Sequence, residues 1–134
     1  MRLSSAVMFV TELERSRGFY EELLGVKPSL LSSSAALFRT PDHDQLYLRA
    51  LGDRAPHPVG GVGIQYLIWT ATDPDDLMRC ENVLRTQSAH ATRTTVDAFT
   101  LVEGVGPDQV PILVSFPGPD ETTRTEIIAR IYDW

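Results

Sequence analysis

The sequence predicts an α+β fold made of two similar modules, each a strand, a helix and then three more strands. Three observations predict it. Two helix starts are written in local residue chemistry, at Thr11–Glu14 and at Asp73–Asp76. Each follows a short apolar run rich in β-formers, and each is followed by three further such runs separated by turn residues.

Taken in order, the apolar stretch Ala6 to Val10 reads as the first strand, and T-x-x-E at Thr11–Glu14 as a capping box that satisfies free helix-start donors. Leu13, Phe19, Leu23 and Leu24 make one helix face, with Phe19 and Tyr20 anchoring it to the sheet, and Gly25 supplies the left-handed stop. Lys27 to Ser32, Ala35 to Thr40 and Gln45 to Leu51 read as a meander, divided by a Ser-rich turn and by Pro41-Asp42-His43-Asp44. The Gly- and Pro-rich stretch 53–62 reads as a linker between module one, 1–52, and module two, 63–118, of a single domain.

Module two repeats the order. Ile64 to Ala71 is a strand, Asp73 caps a helix with Pro74 in its first turn and Asp75 and Asp76 facing its dipole, and Leu77, Cys80 and Leu84 form the apolar face up to about Arg85. Ala91 to Val96, Ala98 to Gly104 and Val110 to Phe116 are the remaining strands. Residues 119–134 carry Ile127, Ile128, Ile131 and Trp134 and are expected to form a helical extension that docks on the domain or on a second subunit.

With 134 residues, 43% of them hydrophobic, the chain can bury a substantial core without disulfides or a structural metal. Its single cysteine, Cys80, excludes an internal disulfide and fits a cytoplasmic location. The opening residues show no signal-type apolar core, and no run approaches the roughly 18 apolar residues of a membrane span. A net charge of −6 repels a phosphate backbone and anionic lipid, so neither nucleic acid nor membrane is an expected partner, and neutral or cationic ligands are favoured.

The run from Ala6 to Pro28 resembles the opening of the vicinal-oxygen-chelate superfamily, which includes glyoxalase I, extradiol dioxygenases, fosfomycin-modifying enzymes and bleomycin-binding resistance proteins. The specific part is V-x-[DE]-L-x-R-S-x-x-F-Y-x-x-L-L-G, present from Val10 to Gly25. Gly106-Pro107-Asp108-Gln109 resembles that superfamily's D-P-D-G turn before the closing strand and departs from it at the first and last positions. The resemblance implies paired βαβββ modules whose curved mixed sheets enclose a cleft, and frequently a homodimer. It also implies four metal-ligand positions, and matching the motifs puts Ser5, Leu48, Gln65 and Leu113 there. A divalent cation wants several imidazole or carboxylate donors, and this set supplies at most two weak neutral ones. No metal or other cofactor is therefore expected.

Because side chains alternate along a strand, the face holding those positions is expected to line the cleft. It comprises Ser5, Val7 and Phe9 on the first strand, Leu46, Leu48 and Ala50 on the fourth, Gln65, Leu67 and Trp69 on the fifth, and Leu113 and Ser115 on the eighth. Phe38 and Phe99 are added from the third and seventh strands. Apolar strand residues also serve as plain core, and for Val7, Leu46, Leu67 and Leu113 that reading stands beside the ligand one. Trp69 is the expected stacking platform and Gln65 an orienting amide.

Other chemistry is thinner. His43 and His57 fall in loops and His90 before a strand, with no spacing that pairs them; Cys80 on a helix face reads as a small hydrophobe. Glu103 reads as a surface carboxylate, with a base at the cleft mouth as the alternative. Gly104 and Gly106 lack the strand, turn and helix of a phosphate loop. The expected function is sequestration of a bulky hydrophobic or aromatic antibiotic or other natural product, without turnover. The alternatives are a metal-independent isomerase, cyclase or hydrolase using Glu103, His43 or a tyrosine, and an interaction module using the C-terminal segment.

Overall fold

A computed structural model describes residues 5–52 and 67–118. The expectations for Gln65, His57, the linker 53–62 and the extension 119–134 lie outside the described residues. The chain divides into two compact units, Met1–Pro56 and His57–Trp134.

In the first unit β1 (Ser5–Val10) leads into α1 (Leu13–Leu24), followed by β2 (Leu30–Leu31), β3 (Ala35–Arg39) and β4 (Gln45–Ala50). Glu12, in extended conformation, holds the N-cap position and makes no side-chain cap hydrogen bond, so the capping box expected at Thr11–Glu14 is corrected, the cap falling at Glu12 rather than Thr11, although the helix starts where that sequence places it. Gly25 closes it at φ 66° and donates its N–H to Glu21 O, a left-handed geometry that glycine adopts without the steric cost of a Cβ. Burial follows the helical repeat at Leu13, Ser16, Phe19, Tyr20 and Leu23. Phe19 and Tyr20 meet edge to face at 5.0 Å, and the Tyr20 hydroxyl lies 3.3 Å from Met8 Sδ of β1, which pins the helix to the sheet as expected.

The second strand is much shorter than Lys27 to Ser32. Ser32 Oγ accepts from the amides of Ser34 and Ala35, and this local turn confines the β2–β3 ladder to Leu30–Leu37 and Leu31–Ala36. The sheet order is β1-β4-β3-β2, with β1 parallel to β4 and the other pairs antiparallel.

The second unit repeats this arrangement: β5 (Leu67–Thr70), α2 (Pro74–Gln87), β6 (Thr92–Val96), β7 (Phe99–Val105) and β8 (Pro111–Phe116), in sheet order β5-β8-β7-β6. Asp73 caps α2 by accepting the Asp76 amide at 2.8 Å, with Pro74 in the first turn, as the sequence predicts. Leu77, Cys80 and Leu84 are buried, and so is Glu81, whose carboxylate takes hydrogen bonds from Arg85 at 2.7 Å and from Arg93 of β6 at 2.6 Å. That second bond ties α2 to the far edge of its own sheet. Between β7 and β8 a single 3-10 turn, Pro107–Gln109, puts Asp108 and Gln109 at positive φ, near 60°.

Candidate functional site

Each sheet has one face under its helix and one face away from it, and strand register assigns every side chain to a face, since paired residues point the same way. In the first unit Met8 touches α1 and pairs with Leu48, so Ala6, Met8, Val10, Leu46, Leu48, Ala50, Ala36 and Phe38 lie on the helix side. Leu46, Leu48 and Phe38 are fully packed there. The helix-free face carries three rows: Ser5, Gln45 and Arg39; Val7, Tyr47, Leu37 and Leu30; Phe9, Arg49 and Ala35.

That face is open, with an apolar middle row flanked by polar and basic residues. Val7 is 62% exposed, Phe9 63% and Tyr47 37%, and Leu30 is exposed beside them, whereas Leu37 between them is buried. The Tyr47 hydroxyl donates to Gln45 Oε1 at 3.4 Å. A β-branched residue and two aromatics side by side on adjacent strands form a contiguous exposed apolar patch of the kind that marks interaction sites.

In the second unit a Cβ added to Gly104 would meet Leu84 of α2 at 3.1 Å, which marks Gly104's face as the helix side. Register puts Leu67, Trp69, Ile112, Val114 and Val102 on it, with Arg93, the partner of Glu81. The helix-free face holds Ile68, Thr70, Leu113, Ser115, Leu101, Glu103, Phe99 and Thr92. Phe99, Leu101 and Leu113 cluster and are buried. Glu103 is buried in the same row as Leu113 and accepts a hydrogen bond from the Thr92 hydroxyl at 3.3 Å. Ser115 Oγ donates to Trp69 O at 3.4 Å.

The expected lining therefore divides. Ser5, Val7, Phe9, Phe99, Leu113 and Ser115 lie on helix-free faces. Leu46, Leu48, Ala50, Phe38, Leu67 and Trp69 are corrected to the helix side, because β4 pairs with β1 and β5 with β8 one residue out of phase with the assumed faces. Trp69 is half-buried, and its Nε1 is enclosed without a hydrogen-bond partner among the described residues. Tyr47, Arg49 and Leu30 were missed. Parity with Val7 and Phe9 across the parallel β1–β4 pair is the signal that would have found Tyr47 and Arg49, and Leu30 follows only through its pairing with Leu37.

Cys80 is buried on the α2 core face, and burial pushes its thiol up to about 11, so it is unreactive at neutral pH. His43 and His90 are exposed in a turn and before β6, far apart in sequence and in separate units.

No family model matches the sequence, and no curated protein matches it. Solved structures do match. A glyoxalase/bleomycin resistance protein from Albidiferax ferrireducens T118 superposes with a TM-score of 0.66 at 21% identity, over 84% of this chain and 95% of that one. A glyoxalase/dioxygenase from Nostoc punctiforme gives 0.68 at 19% identity, over 85% and 89%. The chain has the glyoxalase/bleomycin resistance/dioxygenase fold. The oxidase ChaP-H1 shares it, with a TM-score of 0.67 at 13% identity over 88% of this chain and 97% of that one.

The glyoxalase fold implies a divalent metal held by both modules, and the residues at the matching positions do not fit one. Register moves Leu48 to the helix side, so the β4 residues that face with Ser5 are Gln45, Tyr47 and Arg49, none of them a carboxylate or imidazole, and Leu113 is fully buried against Phe99 and Leu101 with no donor atom. Among the described residues no three His, Cys, Asp or Glu side chains come together as a metal site, and no helix is long and apolar enough to cross a membrane.

Proposed function

We propose that this protein binds and sequesters a bulky hydrophobic or aromatic small molecule, an antibiotic or similar natural product, without a metal and in homodimeric form. The observation that carries the reading is the helix-free face of the first sheet, where Val7, Phe9 and Tyr47 present apolar and aromatic surface to solvent. Stacking on Phe9 and Tyr47 and burial of Val7 supply affinity, and Ser5 and Gln45 at the end of the face orient polar groups. The likeness to a structure described as a glyoxalase/bleomycin resistance protein supports the choice of ligand class.

A thermal-shift screen against aromatic natural products tests this, since a ligand that binds only the folded state must raise its stability. A stabilising compound should lose its effect in Phe9→Ala. A hit that stabilises the Phe9→Ala variant as much as the native protein sinks the assignment.

One observation favours a second reading, a metal-independent enzyme. Glu103 is a buried carboxylate on the helix-free face of the second sheet, beside Leu113 and bonded to Thr92, where it could serve as a base. Mass spectrometry of hits after incubation distinguishes the two, because product beyond one equivalent requires turnover.

A further inference from the structure

The charge of the first sheet's open face is opposite to that of the chain. The chain carries a net −6, yet the residues that register assigns to this face include two arginines, Arg39 and Arg49, and no aspartate or glutamate. Four of the five other described arginines are neutralised locally, Arg15 of α1 being the exception: Arg17 pairs with Glu14 and Glu21, Arg79 with Asp76, and Arg85 and Arg93 with Glu81. Arg39 and Arg49 pair with no carboxylate among the described residues. Among the described residues, the acids nearest to them in sequence, Asp42 and Asp44, belong to the β3–β4 turn at the Arg39 end of the face. Arg49 stands at the other end, four residues along β4 from the Arg39 partner Gln45, or about 13 Å at the usual rise per residue. It is the register partner of Phe9.

Resting on the reading of this face as the ligand surface, we infer that the molecule it takes is an aromatic anion, with its ring on Phe9 and Tyr47 and its carboxylate or comparable acidic group on the Arg49 guanidinium. A guanidinium offers paired donors in a plane that match a carboxylate, and an apolar floor beside it strengthens that bond by excluding water. Net charge governs long-range approach, but within a Debye length the nearest unpaired cation decides which ligand is held. The preference for neutral or cationic ligands expected from net charge alone is thereby reversed at this face.

The test is a calorimetric comparison of 1-naphthoate with 1-naphthamide, matched in shape and differing in charge, on native protein, Arg49→Gln and Phe9→Ala. Naphthoate should bind about tenfold or more tightly than the amide, as a charged hydrogen bond permits, and more weakly as salt is added. Arg49→Gln should abolish that preference, with naphthoate binding falling to the level of the amide, at an unchanged melting temperature, since the side chain is exposed. Equal binding of acid and amide to native protein, or a preference that survives Arg49→Gln, overturns the inference while Phe9-dependent binding of both probes leaves the ligand surface standing. If neither probe binds in a Phe9-dependent way, both the surface and the inference fall.

Discussion

The helix-free faces of the two sheets occupy equivalent places in a repeated topology and have opposite character. On the first, Val7 and Phe9 stand more than half exposed beside two arginines; on the second, Phe99, Leu101 and Leu113 are buried with the carboxylate of Glu103 among them. The helix sides of both sheets are alike, packed with aliphatic and aromatic residues beneath one amphipathic helix. Duplication thus preserves the helix side, which stability requires in each half, and leaves the other side free to diverge. The difference leaves the second helix-free face largely buried and the first exposed, as the proposed ligand surface requires.

The sharpest way to break that contrast is a pair of truncations. Leu113→Ala should cost about 2–5 kcal/mol in chemical denaturation, the range for emptying a buried leucine site, whereas Phe9→Ala should change stability by no more than about 0.5 kcal/mol. Similar losses for both would erase the distinction. Gly104→Ala is expected to cost about 1–3 kcal/mol, because the new Cβ would press on Cβ, Cγ and Cδ2 of Leu84, itself fully buried.

Asp73→Ala should remove about 1 kcal/mol by freeing the Asp76 amide at the start of α2. A smaller change of opposite sign is expected at Gln109, exposed at φ 61° where glycine has no Cβ to strain. Gln109→Gly should raise stability by up to about 1 kcal/mol, and a lower melting temperature would contradict it.

The larger pH response should belong to the second unit, because Glu14 of the first, also held low by Arg17, is fully exposed. Burial pushes the Glu81 carboxyl up, but the hydrogen bonds and charges of Arg85 and Arg93 outweigh it and hold the group below its ordinary range. Asp76 is held low in the same way, against burial, by the Thr72 amide and by Arg79. A carboxyl depressed in the folded state contributes stability above its unfolded pKa, near 4 for these groups, and loses it as pH falls through the folded value. Acid melts should therefore loosen α2, and Glu81→Gln should flatten the loss of stability below about pH 4.

Most of the fold was legible because its punctuation is local. Asp73-Pro74 opens a helix and Gly25 closes one whatever surrounds them, and the seven strands beyond β2 fall within a few residues of their expected bounds. The site was only half legible. In Gln45-Leu46-Tyr47-Leu48 and Leu67-Ile68-Trp69 both faces carry large apolar side chains, so hydrophobic alternation cannot say which face meets the helix. Only the cross-strand register and the contacts of Met8 and Gly104 with their helices decide it, and these are long-range facts. Phe9 was placed on the right face by its spacing from Ser5, the position set by the family resemblance, since Ala6-Val7-Met8-Phe9-Val10 is apolar on both faces.

The division between the faces meets its most direct test in one titration of the strongest screening hit against Phe9→Ala and Trp69→Ala. Phe9→Ala should lose most of the affinity, by about 2 kcal/mol or more as for a stacking anchor, at an unchanged melting temperature. Trp69→Ala, on the helix side, should lower the melting temperature and keep the native affinity. Loss of binding in Trp69→Ala together with native affinity in Phe9→Ala would contradict the account.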